Sequence, residues 1–338
     1  MDITIRVDGG SKIGYGHLIR SNALADEILA RGNDVRVATT TPQSARSVFS
    51  DAVNVVELSS RDDSGTFVDW PNGNEPDAVF TDCYPVDTEY QRAVRDQVPL
   101  AVLQDDARHA ICADLFVNGN LYATDLEYEF VGQEPKMCLG TDYVLLRNEI
   151  RERATDEPPW REQPEHALVM MGGSDIANLT PTAVRAFDGI DIHVDAIVGP
   201  GFSQAQEQSI HAAAEEISAD VAVARDPEDL VERMFQADFA VSTASSTTYE
   251  LFALGTPIIS VPVVDNQEPI AQSLREHYAA TVLGRGAEKM AFQHAIKEYI
   301  SNDVLRRERR DIGRRLVDGR GTERVVAEIC DVIESNPL

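Results

Sequence analysis

The feature that most restricts this sequence is one alternation, written out twice, of short apolar β-rich runs with amphipathic helical stretches. Residues 3–7, 35–39, 78–81, 100–103 and 115–117 read as strands, and 21–30 and 41–49 carry helical spacing between the first of them. Strands separated by helices predict a parallel sheet covered on both faces. From 147 to 165 the chain becomes charged and proline-bearing (Pro158, Pro159, Pro164) and loses its apolar period, which reads as a connection between domains. Strand-like runs then resume at 167–171, 193–198, 221–224, 239–242 and 257–263. Thr180-Pro181 and Asp226-Pro227 look like helix starts, an N-cap residue followed by proline at the first helical position. At 338 residues the chain is too long for one ordinary core. The expected fold is therefore α/β, with two doubly wound Rossmann-like domains at 1–150 and 166–320. A final helical segment, 321–338, can pack back towards the first domain.

The formal charge is −27, yet the acids are spread along periodic segments in a chain that is 43% hydrophobic, so the excess belongs to the surface rather than to a disordered tail. Lys12, Lys136, Lys289 and Lys297 are the only lysines. Acidic excess with arginine as the main cation resembles proteins of a high-salt cytoplasm, where a Debye length of roughly 3 Å at 1 M salt screens surface repulsion. The same field argues against nucleic acid as a partner. No run of about 18 residues lacks charge, so no membrane span is expected, and the absence of a basic then apolar leader points to a cytoplasmic protein. Cys83, Cys112, Cys138 and Cys330 are scattered, with neither zinc spacing nor a disulfide pattern. Oligomeric state is not legible, and a monomer is compatible with everything above.

Two stretches look chemical. After the first strand, Asp8-Gly9-Gly10-Ser11-Lys12-Ile13-Gly14-Tyr15-Gly16-His17-Leu18-Ile19-Arg20 has the glycines of a phosphate or cofactor loop. The dinucleotide fingerprint fails, because Ile19 stands where a third glycine is needed and the second strand ends in Thr39-Thr40-Thr41 rather than an acid. What remains is a turn that delivers His17 and Arg20 to a helix start, where the dipole favours a neutral imidazole available as base. A helix-terminus histidine that merely bonds the loop is the equal alternative. In the second half, Thr243-Ala244-Ser245-Ser246-Thr247-Thr248-Tyr249-Glu250 is a hydroxyl-rich turn opening a helix, suited to a diphosphate. Thr247 and Glu250 also have capping-box spacing. Met171-Gly172-Gly173-Ser174-Asp175 is a second polar turn that permits close backbone approach, and Asp265-Asn266-Gln267 ends a further strand with amides.

Gly14-Tyr15-Gly16-His17 with Arg20, Asp82-Cys83-Tyr84 with Asp87, Gln104-Asp105-Asp106, Leu146-Arg147-Asn148-Glu149, Gly172-Gly173-Ser174-Asp175 with Asn178-Leu179-Thr180, residues 242–250 and Asn266-Gln267 recur in order along nearly the whole chain. Together they resemble the pseudaminic-acid-pathway UDP-sugar hydrolases, a family related to spore-coat polysaccharide biosynthesis proteins and to MurG-like glycosyltransferases. Cys83 and the residues around His109 depart from the commonest family pattern. The resemblance implies a GT-B type fold, with two Rossmann-like domains facing a central cleft, and a UDP-linked amino sugar as substrate. It implies water attack at the anomeric carbon with inversion, no cofactor and no metal. By that resemblance His17 is the catalytic base and Tyr84 lines the sugar site, with Gly14, Gly16 and Arg20 as further substrate-binding residues. Gly173, Ser174, Ser245, Ser246, Thr247, Thr248 and Asn266 then surround the diphosphate, and Glu250 holds the ribose. The rivals are a glycosyltransferase using the same donor, a non-hydrolysing epimerase, and a non-catalytic nucleotide-sugar sensor.

Overall fold

The structure, a computed structural model, describes residues 1–10, 13–61 and 76–335. Ser11 and Lys12 of the glycine loop lie outside the described residues. Two compact units are present: Met1–Asn148 with Gly319–Leu338, and Glu149–Asp318.

The first unit is built on a parallel sheet of β1 (Asp2–Val7), β2 (Asp34–Thr39), β3 (Asn54–Glu57), β4 (Ala78–Asp82), β5 (Leu100–Leu103), β6 (Leu115–Asn118) and β7 (Lys136–Leu139). The strand order is β3-β2-β1-β4-β5-β6-β7. Ile3, Ile5 and Val7 alternate onto one face, where they meet Leu18, Leu24 and Ile28 of the helix Gly16–Ala30. Val325, Val326 and Ile329 of the terminal helix Gly321–Ser335 complete that core. The opposite face buries Val79, Leu100, Val102 and Phe116 against Tyr90 and Val94 of the helix Thr88–Arg95. Thr322 fixes the return of the chain, because its hydroxyl accepts from Leu146 N–H and donates to Leu146 C=O.

The second unit repeats the plan with β8 (His166–Met170), β9 (His193–Val198), β10 (Asp220–Arg225), β11 (Phe239–Thr243), β12 (Ile258–Val261) and β13 (Thr281–Val282), all parallel, in the order β10-β9-β8-β11-β12-β13. In each unit the chain winds outwards from its first strand and then returns to that strand's other side. β1 and β4, and likewise β8 and β11, therefore flank the point where strand order reverses, the place at which open α/β sheets bind ligands.

Several sequence readings need correction. β3, β7 and β13 are strands that the apolar pattern did not mark, being edge or near-edge strands with half-exposed residues. Residues 147–165 are not a free connection: Asn148–Arg153 is helical with Ile150 buried, and the Trp160 ring lies under the guanidinium of Arg306. The helix after Thr180-Pro181 has Leu179 as its cap residue, so Thr180 is already helical. Asp226 adopts φ +41°, and the helix expected there begins only at Leu230.

Candidate functional site

Gly10 N–H bonds Gly14 C=O at 3.0 Å, closing the first loop tightly, and Gly14 takes φ +102°, which a side chain rarely adopts. Asp8, at the end of β1, anchors the base of this loop: its carboxylate pairs with the buried Arg6 and accepts from Thr39 and Thr40. Thr41 Oγ1 accepts from Gly9 N–H. Thr39-Thr40-Thr41, which lacks the acid of a ribose site, thus braces the loop instead. Burial opposes ionisation of Asp8, but the Arg6 guanidinium outweighs it and holds the carboxyl below its usual range.

The helix Gly16–Ala30 starts here with Tyr15 as cap residue and no side-chain cap bond. His17 and Arg20, one turn apart, point to the end of the adjacent β4. His17 Nδ1 lies 2.7 Å from Asp82 Oδ1. Arg20 reaches the same carboxylate with two bonds of 2.6 Å, and Asp105 with bonds of 2.8 and 3.0 Å. Asn120 and Tyr122 hold Asp105 in turn, through its carboxylate and its main-chain carbonyl. Arg20 Nη2 also sits 3.0 Å from His17 Nδ1. Both hydrogens of Nη2 are directed to Asp82 and Asp105, and a carboxylate at 2.7 Å needs a donor. A proton on Nδ1 satisfies that carboxylate, and in the neutral imidazole Nε2 then carries the lone pair.

Asp82 is 1% exposed. Burial raises its pKa, but the charge of the Arg20 guanidinium and the hydrogen bonds from Arg20 and His17 prevail and keep the carboxyl well below the carboxylate range. The Tyr84 ring meets the His17 ring edge-on, centroids 4.8 Å apart, and carries the Arg108 guanidinium 4.1 Å above its own face. Burial pushes the Tyr84 phenol up. These groups, with Gln104, line a small polar pocket. Of the predicted residues of this site, His17, Arg20 and Tyr84 line the pocket, while Gly14 and Gly16 are exposed in the loop and helix start that precede His17. Asp82 and Asp105 were noticed only as parts of motifs, and their function in the network was missed. The available signal was position, since each stands at or just beyond the carboxyl end of a predicted strand.

In the second unit the turns after β8 and β11 are neighbours: a Cβ at Gly172 would stand 3.6 Å from Thr243 Oγ1, and that hydroxyl donates to Ser245 Oγ at 3.3 Å. The 172–175 turn is pinned from beneath by Gly199 and Gly201, whose N–H meets Gly173 C=O at 2.8 Å. A Cβ at Gly199 would stand 2.7 Å from the same oxygen. Asp175 caps the next helix, accepting from Leu179 N–H, Thr180 N–H and the Thr180 hydroxyl. Gly173 and Ser246 are exposed, Ser174 and Ser245 half-buried, and Asn266 exposed in a short turn beyond β12. The expected Thr247–Glu250 capping box does not form, because the helix Thr247–Leu254 has Ser246 as its cap residue and no side-chain cap bond. Thr247 and Thr248 are buried in the first turn, and among the described residues the Thr248 hydroxyl has no hydrogen-bond partner. Half-buried Glu250 lies within the same first turn.

Comparison with known proteins places these features in context. No family model matches the chain. The spore coat polysaccharide biosynthesis protein SpsG of Bacillus subtilis is 22% identical, with 99% of each chain covered. The UDP-2,4-diacetamido-2,4,6-trideoxy-beta-L-altropyranose hydrolase of Campylobacter jejuni is 24% identical over 80% of this chain and 95% of its own. An uncharacterized protein of Methanocaldococcus jannaschii, MJ1062, is 21% identical over 77% of this chain, which spans 55% of that protein's length. Among solved structures, Acinetobacter baumannii MurG superposes with TM-score 0.70 at 16% identity, covering 98% of this chain and 99% of its own. The calicheamicin glycosyltransferase CalG4 gives 0.66 at 16% identity, with 99% of each covered. The fold is the GT-B type, and the chain is a distant homologue of the hydrolase and of SpsG. Among the described residues no helix is long and apolar enough to cross a membrane.

Proposed function

We propose that this chain hydrolyses a UDP-linked amino sugar, with His17 as the general base. The observation that carries the proposal is the His17–Asp82 pair: a 2.7 Å bond that fixes the proton on Nδ1 and leaves Nε2 free beside a polar pocket. Nε2 removes a proton from water, and the oxygen attacks the anomeric carbon from the face opposite the nucleotide. The bond to the UDP oxygen breaks with its electron pair, giving UDP and free sugar of inverted configuration. Asp82 stabilises the imidazolium that forms, as an orienting carboxylate does in a triad, and the proton then passes to solvent.

The helix start at Thr247, with the hydroxyls of Ser245, Ser246, Thr247 and Thr248, takes the growing charge of the diphosphate. Gly173, Ser174 and Asn266 line the same edge, and Glu250 holds the ribose. The name and coverage of the Campylobacter relative support water as nucleophile and a diacetamido-trideoxyhexose as the sugar. Both that relative and the SpsG match favour a place in nonulosonic-acid or surface-polysaccharide biosynthesis.

A phosphorus and proton NMR time course with this UDP-sugar, in high salt and without acceptor, tests the reading. The expected result is stoichiometric UDP and free sugar, with His17→Ala slower by about 10² to 10⁴. A strict requirement for an acceptor hydroxyl would make the chain a transferase on the same base. An isomerised UDP-sugar would make it an epimerase, and binding without turnover a sensor.

A further inference from the structure

We infer that the amino edge of the second sheet binds a divalent first-row transition ion through His166, His193 and Asp195. Parallel register sets His166 beside His193, and His193 beside Asp220, across three adjacent strands. Asp195 follows His193 by two residues and so shares its face of β9. His166 Nε2 lies 2.8 Å from Asp195 Oδ2, His193 Nε2 lies 3.7 Å from Asp195 Oδ1, and the three ligand atoms fall within 4.8 Å of one another. Among the described residues no other three His, Cys, Asp or Glu side chains converge in this way. Ligands about 2.1 Å from a tetrahedral ion stand roughly 3.4 Å apart, so side-chain movements of about 1 Å convert this cluster into a coordination site.

Two neighbours shape the cluster for an ion. Asp220 Oδ2 is 2.8 Å from His193 Nδ1, which fixes the proton there and turns the Nε2 lone pair towards Asp195. A carboxylate behind a histidine is the usual outer support of a metal ligand. Arg233 bonds Asp195 Oδ1, leaving Oδ2 as the ligand oxygen facing His166, whose Nε2 proton is released to solvent as the ion binds. Two imidazoles and one carboxylate, without a thiolate, suit Zn²⁺, Co²⁺ or Ni²⁺ rather than Mg²⁺ or Ca²⁺. His166 opens the strand whose far end leads into the Gly172–Gly173 turn, about 20 Å away at 3.3 Å per residue. The ion therefore ties β8 to β9 and is independent of the proposed hydrolysis. Binding only the folded chain, it raises the melting temperature.

The test is a titration of the chelator-stripped full chain with Co²⁺, followed by visible d–d absorption, with Zn²⁺ as competitor and thermal melts alongside. One equivalent of Co²⁺ with four-coordinate bands, displaced by Zn²⁺, is expected, together with a higher melting temperature. His193→Ala should abolish the bands, Asp220→Asn should weaken binding about 10- to 100-fold, and His17→Ala should leave it unchanged. The side chains of His193 and Asp220 are 40% and 82% exposed, so both variants are expected to fold. No saturable binding, uptake that these two substitutions leave untouched, or loss of binding in His17→Ala would each overturn the site.

Discussion

Replacing Asp82 with asparagine separates orientation of the base from simple presence of the base. The carboxylate accepts from His17, twice from Arg20, and from Ser21 at 3.4 Å, so the amide that replaces it must point its NH2 group at a donor. If the NH2 group faces His17, Nδ1 becomes the acceptor and the proton moves to Nε2, which removes the base. If it faces Arg20, two N–H groups oppose a guanidinium. Either outcome removes the charge that stabilises the imidazolium, so most of the 10² to 10⁴ expected of a general base is lost in kcat, with KM little changed. Stability should fall by about 1–3 kcal/mol, less than for a fully orphaned buried ion, because Arg20 keeps Asp105. The assay is UDP release against substrate concentration, with melting curves to establish that the variant is folded. Asp105→Asn is the control: it weakens the same network but leaves the His17 tautomer intact, so its kcat should fall less. A folded Asp82→Asn enzyme with kcat within about threefold of the parent would refute the assignment of the tautomer and of the base.

The same carboxylate gives a pH signature. Its folded pKa is depressed, so its contribution to stability is complete above the unfolded value of about 4 and disappears as pH falls towards the folded value. The stability difference between parent and Asp82→Asn should therefore be constant from pH 5 to 7 and shrink below about pH 4 in urea melts. Gly199→Ala places a Cβ 2.7 Å from Gly173 C=O and 2.8 Å from Gly172 C=O. The turn must shift, and KM for the nucleotide sugar should rise several-fold while kcat changes little. Thr248→Val removes a buried hydroxyl that has no partner among the described residues, so the melting temperature should hold or rise. UDP affinity measured by calorimetry should fall by about tenfold if that hydroxyl meets the diphosphate, and unchanged affinity would remove Thr248 from the site.

The alternation of periods was enough to read two doubly wound units, because parallel strands buried on both faces leave continuous apolar runs such as 78–81 and 239–242. It did not reveal β3 or β13, whose half-exposed residues write no such run. The limits at Thr180 and Asp226 had a local cause. Cap chemistry reads only neighbouring residues, whereas Asp175, five residues upstream, takes both the N–H and the hydroxyl of Thr180. Of the first site, the glycines, His17 and Arg20 were legible because they are contiguous. The partner that decides the tautomer stands 65 residues away, and only the adjacency of β1 and β4 brings it into reach. The proposed metal cluster was hidden for the same reason: His166 lies far in sequence from His193 and Asp195 until strand register aligns them.

The strong negative charge sharpens the division of labour between the two candidate sites. A nucleotide diphosphate would ordinarily be held by arginine or lysine, yet in the first-unit pocket Arg20 is bound by Asp82 and Asp105, and Arg108 by Asp106. Freeing either guanidinium for phosphate would orphan a carboxylate, and for Asp82 a buried one. Those arginines therefore serve as fixed braces for acids, and under the proposed function the pocket is left to uncharged sugar hydroxyls and amides. In the second unit the resources are of another kind: a helix start, clustered hydroxyls and a glycine turn, none of which needs a counter-ion to be given up. Backbone dipoles and hydroxyls also keep their strength in concentrated salt, where long-range attraction is screened within a few ångströms. A chain with this acidity is thus better served by donors built into the backbone. On that reasoning, His17→Ala should leave UDP affinity unchanged, while substitutions at Ser245 or Thr248 should weaken it.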